Sequence, residues 1–131
     1  MVGVVEKIKS LDYFYSTGAV KEREISDLEK AMDLSFSEEY KNYLLAFGCA
    51  SFKGYELTGI CPFPRLNVCN VTQEERINNP LVPHDWYVVE QLNIEGVVIW
   101  QSSTGEIYQT APNTEPKKIC DSLAEYIEME E

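Results

Sequence analysis

The residue types that most often carry covalent or metal chemistry are few and scattered in this sequence. The cysteines Cys49, Cys61, Cys69 and Cys120 form no Cys-x-x-Cys pair, and His84 is the only histidine. A tetrahedral zinc site usually draws on closely spaced ligand pairs, so a site here would need residues from distant segments. We therefore predict reduced, structural cysteines, no bound metal and no cofactor.

Catalysis by a nucleophile or by an acid–base pair has equally little local support. His84 lies in a predicted loop and could activate a cysteine only if the fold brought the two together. Adjacent glutamates lie where helix starts or the terminus explain them: Glu38-Glu39, Glu74-Glu75 and Glu130-Glu131. No P-loop, His-Glu-x-x-His or Gly-x-Gly-x-x-Gly motif is present. We expect no catalytic residues, although an active site of dispersed residues stays open.

One interval of the sequence is unusual in both its charge and its aromatic content. Between Arg76 and Lys117 the chain has no lysine or arginine. The same interval contains acidic and aromatic residues: Asp85, Trp86, Tyr87, Glu90, Glu95, Trp100, Glu106, Tyr108 and Glu115. Aromatic side chains anchor protein interfaces and carboxylates steer association, so such a surface suits a basic partner. We predict a partner-binding surface that consists of Asp85, Trp86, Tyr87, Glu90, Glu95, Glu106 and Tyr108.

The alternative is that these aromatic residues belong to the core and the acids only border the sheet. For Trp100, which follows Val98 and Ile99, we favour a place in the core. For the three glutamates of the predicted surface, at positions 90, 95 and 106, we expect exposure under either interpretation, and only their use is in question.

The predicted binding residues would be positioned by short strands in the second half of the chain. β-branched and aromatic residues dominate residues 86–92, 96–101 and 106–110, and residues 117–120 are predicted as a further short strand. The first three segments are separated by only a few turn-forming residues, which favours an antiparallel meander.

Helical periodicity predicts the elements of the first half. Helices are expected near residues 4–11, over 22–33 and over 37–47, because apolar residues recur there at helical spacing. In the third helix Ser37 takes the N-cap position and Gly48 the position after the last turn. A strand over 52–60 and a helix over 72–78, opened by a Thr72 and Glu75 capping box, are predicted next.

The chain is predicted to end with a helix opened by Ser122. The order of helices, then strands, then a helix favours a single α+β domain over residues 1–131, in which an antiparallel-rich sheet is flanked by helices. We assign a structural role to five residues that shape the core or its turns: Tyr40, Leu44, Phe47, Gly48 and Gly54.

The net charge of −11 limits the classes of partner. Nucleic acid is disfavoured as a direct partner because phosphate binding requires clustered lysine and arginine. A basic protein partner is compatible with this charge, which also gives solubility. The longest apolar run, residues 97–100, is too short to span a bilayer, and residues 1–15 lack the apolar core of a secretory signal. We expect a cytoplasmic protein.

Several short motifs of the sequence resemble those of the SUKH superfamily, the Smi/Knr-like proteins. They are Ile25-x-x-Leu28-Glu29, Phe36-Ser37-Glu38-Glu39-Tyr40-Lys41-x-x-Leu44, Phe47-Gly48 and Phe52-x-Gly54-Tyr55-Glu56-Leu57. The meander and the closing helix also come in the order of that family. Phe36-Ser37 stands where the family usually has Leu-Pro. A serine N-cap thus replaces a proline in the first helical turn, and both favour the start of a helix.

The resemblance implies an antiparallel-rich sheet with helices packed around it. It also implies an immunity protein that neutralises a toxin, often a nuclease, by binding it. A nuclease must hold phosphates with cations, so an acidic inhibitor could cover that surface. Two alternatives stay open: a general interaction or regulatory module, as in the fungal relatives, and a small-molecule binder or enzyme with a dispersed site.

Overall fold

The computed structural model describes residues 3–52, 54–92 and 94–129, and these form an α+β fold, as predicted. The helices of the described chain are α1 (Val4–Lys9), α2 (Glu22–Met32), α3 (Glu38–Phe47), α4 (Val68–Asn78) and α5 (Leu123–Met129). The strands are β1 (Tyr15–Ser16), β2 (Ala50–Phe52), β3 (Tyr55–Glu56), β4 (Tyr87–Gln91), β5 (Val98–Gln101), β6 (Ile107–Thr110) and β7 (Lys117–Cys120). No helix in these ranges is long and apolar enough to cross a bilayer.

The strands form two antiparallel sheets. The larger sheet has the order β4-β5-β6-β7, which is the predicted meander, and the smaller has the order β1-β2-β3. The two sheets are connected where Leu57 pairs with Glu90 and the Thr58 N–H donates to the Val89 carbonyl at 2.9 Å. The small sheet therefore continues from the β4 edge of the large one.

Helix α3 starts and stops as the sequence predicts. The Ser37 hydroxyl accepts a hydrogen bond from the Tyr40 N–H at 3.1 Å, which satisfies one of the free donors of the first turn. The helix ends at Gly48, whose φ of 69° is readily adopted only by glycine. A Cβ there would lie 2.3 Å from the Gly18 carbonyl oxygen, so the neighbouring chain also requires glycine.

Two predicted elements differ from those observed. The strand predicted over 52–60 is split into β2 and β3, because Gly54 adopts a φ of 83° and reverses the chain. The helix predicted to open at Thr72 begins at Val68, where the Asn67 side chain accepts from the N–H groups of residues 69 and 70. The Thr72 and Glu75 capping box is therefore wrong: the Thr72 hydroxyl accepts from the Val88 N–H at 3.0 Å and joins α4 to the sheet.

The core has two parts, one on each face of the large sheet. The inner face packs against α3 and α5, and its cluster includes Tyr40, Tyr43, Leu44, Phe47, Tyr87, Val89, Ile99, Ile107, Leu123 and Ile127. The outer face packs partly against α4, and its cluster consists of Val71, Trp86, Val88, Val98 and Trp100. Of the five residues predicted to be structural, Tyr40, Leu44 and Phe47 lie in the inner cluster, and Gly48 and Gly54 adopt positive φ at chain turns.

Candidate functional site

Four of the seven residues predicted for partner binding lie together at one end of the meander. They are Asp85, Trp86, Glu106 and Tyr108, and with Ser103 they form what we call the acid–aromatic rim. The rim surrounds the turn of residues 102–105 between β5 and β6, which is closed by a Gly105 N–H to Ser102 carbonyl bond of 3.0 Å. Residues two apart on a strand share a face, which is why positions 106 and 108 both face outward.

The aromatic part of the rim is a rigid stack. The rings of Trp86 and Tyr108 lie 4.1 Å apart between centroids with an interplanar angle of 16°. Trp86 is only 8% exposed, so its main role is to support the half-buried Tyr108 ring that covers it. Trp100 lies beneath, fully buried, and its indole N–H donates to the Thr110 hydroxyl at 2.9 Å. The prediction that Trp100 belongs to the core is confirmed.

The acidic part of the rim is held by hydroxyl groups of the turn. The Asp85 carboxylate accepts from the Ser103 hydroxyl at 3.0 Å. The Glu106 carboxylate accepts from the Ser102 hydroxyl at 3.0 Å and from the Thr104 hydroxyl. These two hydroxyl bonds are the main reason why the pKa of Glu106 is lowered, so its negative charge persists on mild acidification.

The outer face is less uniformly acidic than the sequence interval suggested, because the fourth strand brings cations into the sheet. Strand β7 begins with Lys117 and Lys118, and Lys118 lies opposite Tyr108 in the register. The Lys118 ammonium pairs with the Asp121 carboxylate at 2.6 Å. The Arg76 guanidinium also lies here, because it donates to the His84 carbonyl at 2.7 Å and to the Trp86 carbonyl, on either side of Asp85. Among the described residues, the carboxylates of Asp85, Glu106 and Asp121 therefore outnumber the cations of Lys118 and Arg76 at this end of the sheet by one.

Tyr87 does not belong to a binding surface, contrary to the prediction. Its side chain is fully buried on the inner face. Its hydroxyl accepts from the Ser37 N–H at 3.0 Å and donates to the Gln101 side-chain oxygen at 2.9 Å. Burial raises the pKa of Tyr87 well above its ordinary value. Tyr87 joins α3 to the sheet and is a structural residue.

Glu90 is 2% exposed, so the prediction that it is exposed and available to a partner is wrong. The cause is a β-bulge: Val88 pairs with Trp100, but Glu90 pairs with Ile99, so the alternation of faces shifts between them. Glu90 therefore points into the inner face, where its carboxylate accepts from the Tyr126 hydroxyl and from the Glu56 N–H. It connects α5, β3 and β4.

Glu95 is exposed, as expected, but lies away from the rim. It occupies the turn between β4 and β5 with a φ of 52°, whereas the rim surrounds the turn between β5 and β6 at the other end of the sheet. Consecutive hairpin turns of a meander lie at opposite ends of its strands, so the structure does not bring Glu95 together with Asp85 and Glu106.

Sequence reasoning missed the hydroxyl-rich turn that holds the two acids of the rim. Ser102, Ser103 and Thr104 were treated only as a connection between strands. Their side chains instead form the hydrogen bonds that orient Asp85 and Glu106. The available signal was a run of three hydroxyl residues next to predicted outward-facing carboxylates, because serine and threonine in turns commonly bond nearby acceptors.

Other chemistry receives no support from the described residues. Among them, no three His, Cys, Asp or Glu side chains converge as a set of metal ligands. The four cysteines are free thiols, and burial raises the pKa of Cys120 to about 11. His84 lies on an exposed loop, with its Nε2 atom 2.9 Å from the Asp33 carbonyl oxygen at the end of α2.

Comparison with protein families gives one match. A family model described as SUKH_5: SMI1-KNR4 cell-wall matches residues 1–130. This span contains every helix and strand named above, and it confirms the resemblance noted in the sequence. No curated protein matches the chain.

Proposed function

Because the chain belongs to the SMI1-KNR4 family, which its match over residues 1–130 shows, we propose that it is an immunity protein that binds and neutralises a toxin domain. The family includes immunity proteins of this kind. The toxin would carry a basic surface, as a nuclease does, because it must hold phosphates. Inhibition would require binding alone, without a chemical step on the part of this chain.

The observation that carries the proposal is the acid–aromatic rim. It places the carboxylates of Asp85 and Glu106 around the Trp86 and Tyr108 stack, on a chain with a net charge of −11. The net charge would accelerate encounter with a cationic partner. The Tyr108 ring, already fixed by stacking, would lose little conformational freedom on binding, which favours its use as an anchor.

A co-expression experiment tests the proposal. Under this proposal a gene adjacent to that of the chain encodes the toxin domain. The domain is expressed with and without this chain, and cell survival and co-purification are measured. We expect survival only with the chain, and a stable complex whose affinity falls as salt increases. Survival that is independent of the chain, together with no complex at low salt, would refute an immunity function.

One observation favours a second candidate, a regulatory interaction module. The family model is described by SMI1-KNR4 and the cell wall rather than by immunity. Under this function the chain would capture a protein of its own host and would leave the adjacent gene product unbound. The same co-purification separates the two candidates, because each predicts a different partner from the same cells.

A further inference from the structure

A second surface of the molecule exposes aromatic rings that the proposed function does not use. Residues 13 and 14 lie between α1 and strand β1, and Tyr15 is the first residue of β1. The side chains of Tyr13 and Tyr15 are 86% and 68% exposed. Phe63 is also exposed, while Phe14 between the two tyrosines packs edge-to-face on Phe47 with centroids 5.5 Å apart. Phe14 thus ties the segment to the core while its neighbours remain open. We call Tyr13, Tyr15 and Phe63 the aromatic strip.

Two shallow grooves meet along the aromatic strip. The first, of about 700 Å³, lies between residues 12–15 and the β2–β3 hairpin. The second, of about 220 Å³, is bordered by Phe63 and Arg65. Tyr15, Ser51 and Glu56 line both grooves, so Tyr15 forms an aromatic ridge between two neighbouring depressions. This shape differs from a single continuous trough.

The charges around the grooves are arranged asymmetrically. At the second groove, Arg65 donates two bonds of 2.7 and 2.8 Å to the Glu56 carboxylate. This bond to Arg65 lowers the pKa of Glu56, so the ion pair persists at neutral pH. At the first groove lies Asp12, for which the described part of the chain supplies no ion-pair partner. A ligand cation would therefore find an available carboxylate on the Tyr13 side.

We propose that the aromatic strip binds a proline-containing segment of another protein, in the polyproline II conformation and with one lysine or arginine. A polyproline II helix has about three residues per turn and a rise of about 3.1 Å per residue, so successive turns lie about 9 Å apart. Two neighbouring grooves separated by an aromatic ridge can accept prolines from successive turns, a mode known from aromatic-lined domains. The cation of the segment lies toward Asp12.

Other occupants fit this surface less well. A second copy of the chain would bring together two molecules that each carry a net charge of −11, which opposes association. An amphipathic helix requires a continuous apolar groove for anchors at i, i+3/i+4 and i+7, and the Tyr15 ridge interrupts it. A preformed polyproline II segment also loses less conformational entropy on binding than a flexible one. The inference is independent of the proposed toxin partner and of the acid–aromatic rim.

The test begins with a peptide array. Its nonapeptides share a Pro-x-x-Pro core, vary at the other positions and carry one arginine or lysine at either end. Matched peptides have glycine in place of both prolines, or glutamate in place of the cation. The strongest binder is then titrated into the full ¹⁵N-labelled chain, and amide shifts are followed. We expect shifts confined to residues 12–15, 51, 56, 63 and 65, and weaker binding of both matched peptides.

Variants of the full chain complete the test. Tyr15→Ala should lower the affinity for the peptide about tenfold or more, as removal of a central aromatic anchor commonly does. Tyr15→Phe should retain most of the affinity, and Asp12→Asn should remove the preference for the cation. Leu81→Ala, at an apolar residue exposed elsewhere, is the matched control and should change nothing. Because these side chains are exposed, unfolding temperatures should stay near that of the wild type.

Four results would overturn the inference. The first is that no array member binds at millimolar concentration. The second is that the glycine peptides bind as well as the proline peptides. The third is that the amide shifts map to the acid–aromatic rim instead of the aromatic strip. Sedimentation that shows a dimer lost on Tyr15→Ala would assign the surface to a second copy of the chain and would equally contradict the proposal. None of these results bears on toxin neutralisation.

Discussion

The two faces of strand β4 and its neighbours differ in how their polar side chains are used. On the inner face, Tyr87 and Glu90 are buried and bonded to the protein itself, to Ser37 and to Tyr126. On the outer face, the carboxylates of Asp85 and Glu106 accept hydrogen bonds from hydroxyls of the adjoining turn. The inner groups connect separate elements of the fold, whereas the outer groups are held in place at the surface.

This difference separates stability from recognition within one short stretch of sequence. Removing an inner polar group leaves its buried partner unsatisfied, which costs free energy of unfolding. Removing an outer group exposes its hydroxyl partners to water, which can replace the lost bond. Inner-face substitutions should therefore change stability, and outer-face substitutions should change partner binding. The predictions below test this division in order of decreasing expected effect on stability.

The largest effect is expected at alkaline pH, where the inner face should unfold. Burial raises the pKa of Tyr40, Tyr43 and Tyr87 in the folded chain, whereas tyrosine in an unfolded chain ionises near pH 10. Above that pH the folded state binds more protons, so stability falls as pH rises. At pH 11 the three tyrosines should contribute about 4 kcal/mol to this loss, at about 1.4 kcal/mol each, and the buried Cys120 thiol, whose pKa is also raised, adds to it.

Urea unfolding from pH 8 to 11, with tyrosinate absorbance recorded in parallel, measures this loss. Tyr87→Phe provides an internal control, because it removes one of the three groups and should reduce the tyrosine contribution to the pH dependence by about one third. Ionisation of all tyrosines near pH 10 in a chain that remains folded would contradict the burial of these hydroxyls.

The next largest effect is expected for Glu90→Ala. The substitution leaves the buried Tyr126 hydroxyl and the Glu56 N–H without their acceptor, so it should lower the free energy of unfolding by about 3 kcal/mol. Glu106→Ala, the outer-face counterpart, should change it by less than about 0.5 kcal/mol. Urea unfolding of both variants provides the comparison. An equal loss of free energy of unfolding in the two variants would show that the two glutamates do not differ in role.

A smaller effect is expected for a matched pair of tyrosines. Tyr87→Phe removes a hydroxyl that bonds Ser37 and Gln101, and it should cost about 1–2 kcal/mol of stability near neutral pH. Tyr108→Phe keeps the ring that stacks on Trp86 and should be nearly neutral. Thermal unfolding distinguishes them, since only the first variant should lower the transition by several degrees. A larger fall in unfolding temperature for Tyr108→Phe than for Tyr87→Phe would contradict the roles assigned to the two faces.

Much of the fold could be predicted from the sequence because the local signals agree with the final packing. Ser37 and Gly48 are residue types that favour the start and the end of a helix wherever they occur. Together with helical spacing, they predicted α3 to within one residue of its observed bounds. The meander followed from β-branched runs with short connections. The α4 start could not be predicted in this way, because the Thr72 hydroxyl is used by the sheet, which is distant in sequence.

The candidate site was only partly predictable for a similar reason. Period-two alternation groups Glu106 with Tyr108, and the structure does place both on the outer face. The same rule puts Glu90 beside Val88, but the bulge at Val89 turns Glu90 inward. A bulge depends on how two strands pair, which the composition of one strand does not reveal. The aromatic strip was not predicted because residues 13–15 lie between the helices predicted near residues 4–11 and over 22–33, where the sequence has no helical or strand periodicity.

The outer face should control encounter with a basic partner rather than stability. Asp85→Lys combined with Glu106→Lys reverses both acids of the rim. Asp27→Lys combined with Glu128→Lys makes the same change of net charge at exposed positions on α2 and α5. Both double variants should unfold within about 1 kcal/mol of the wild type, since each site is at the surface. They differ only in where the charge is reversed.

The most direct test of the acid–aromatic rim is the association rate of these two variants with the adjacent-gene toxin domain, measured by stopped flow at low salt. If the rim is the binding surface, its charge reversal should slow association by about tenfold or more, because local charges steer encounter. The control pair should slow association by no more than about threefold through net charge alone. Equal slowing in both variants would contradict the assignment of the rim as the binding surface.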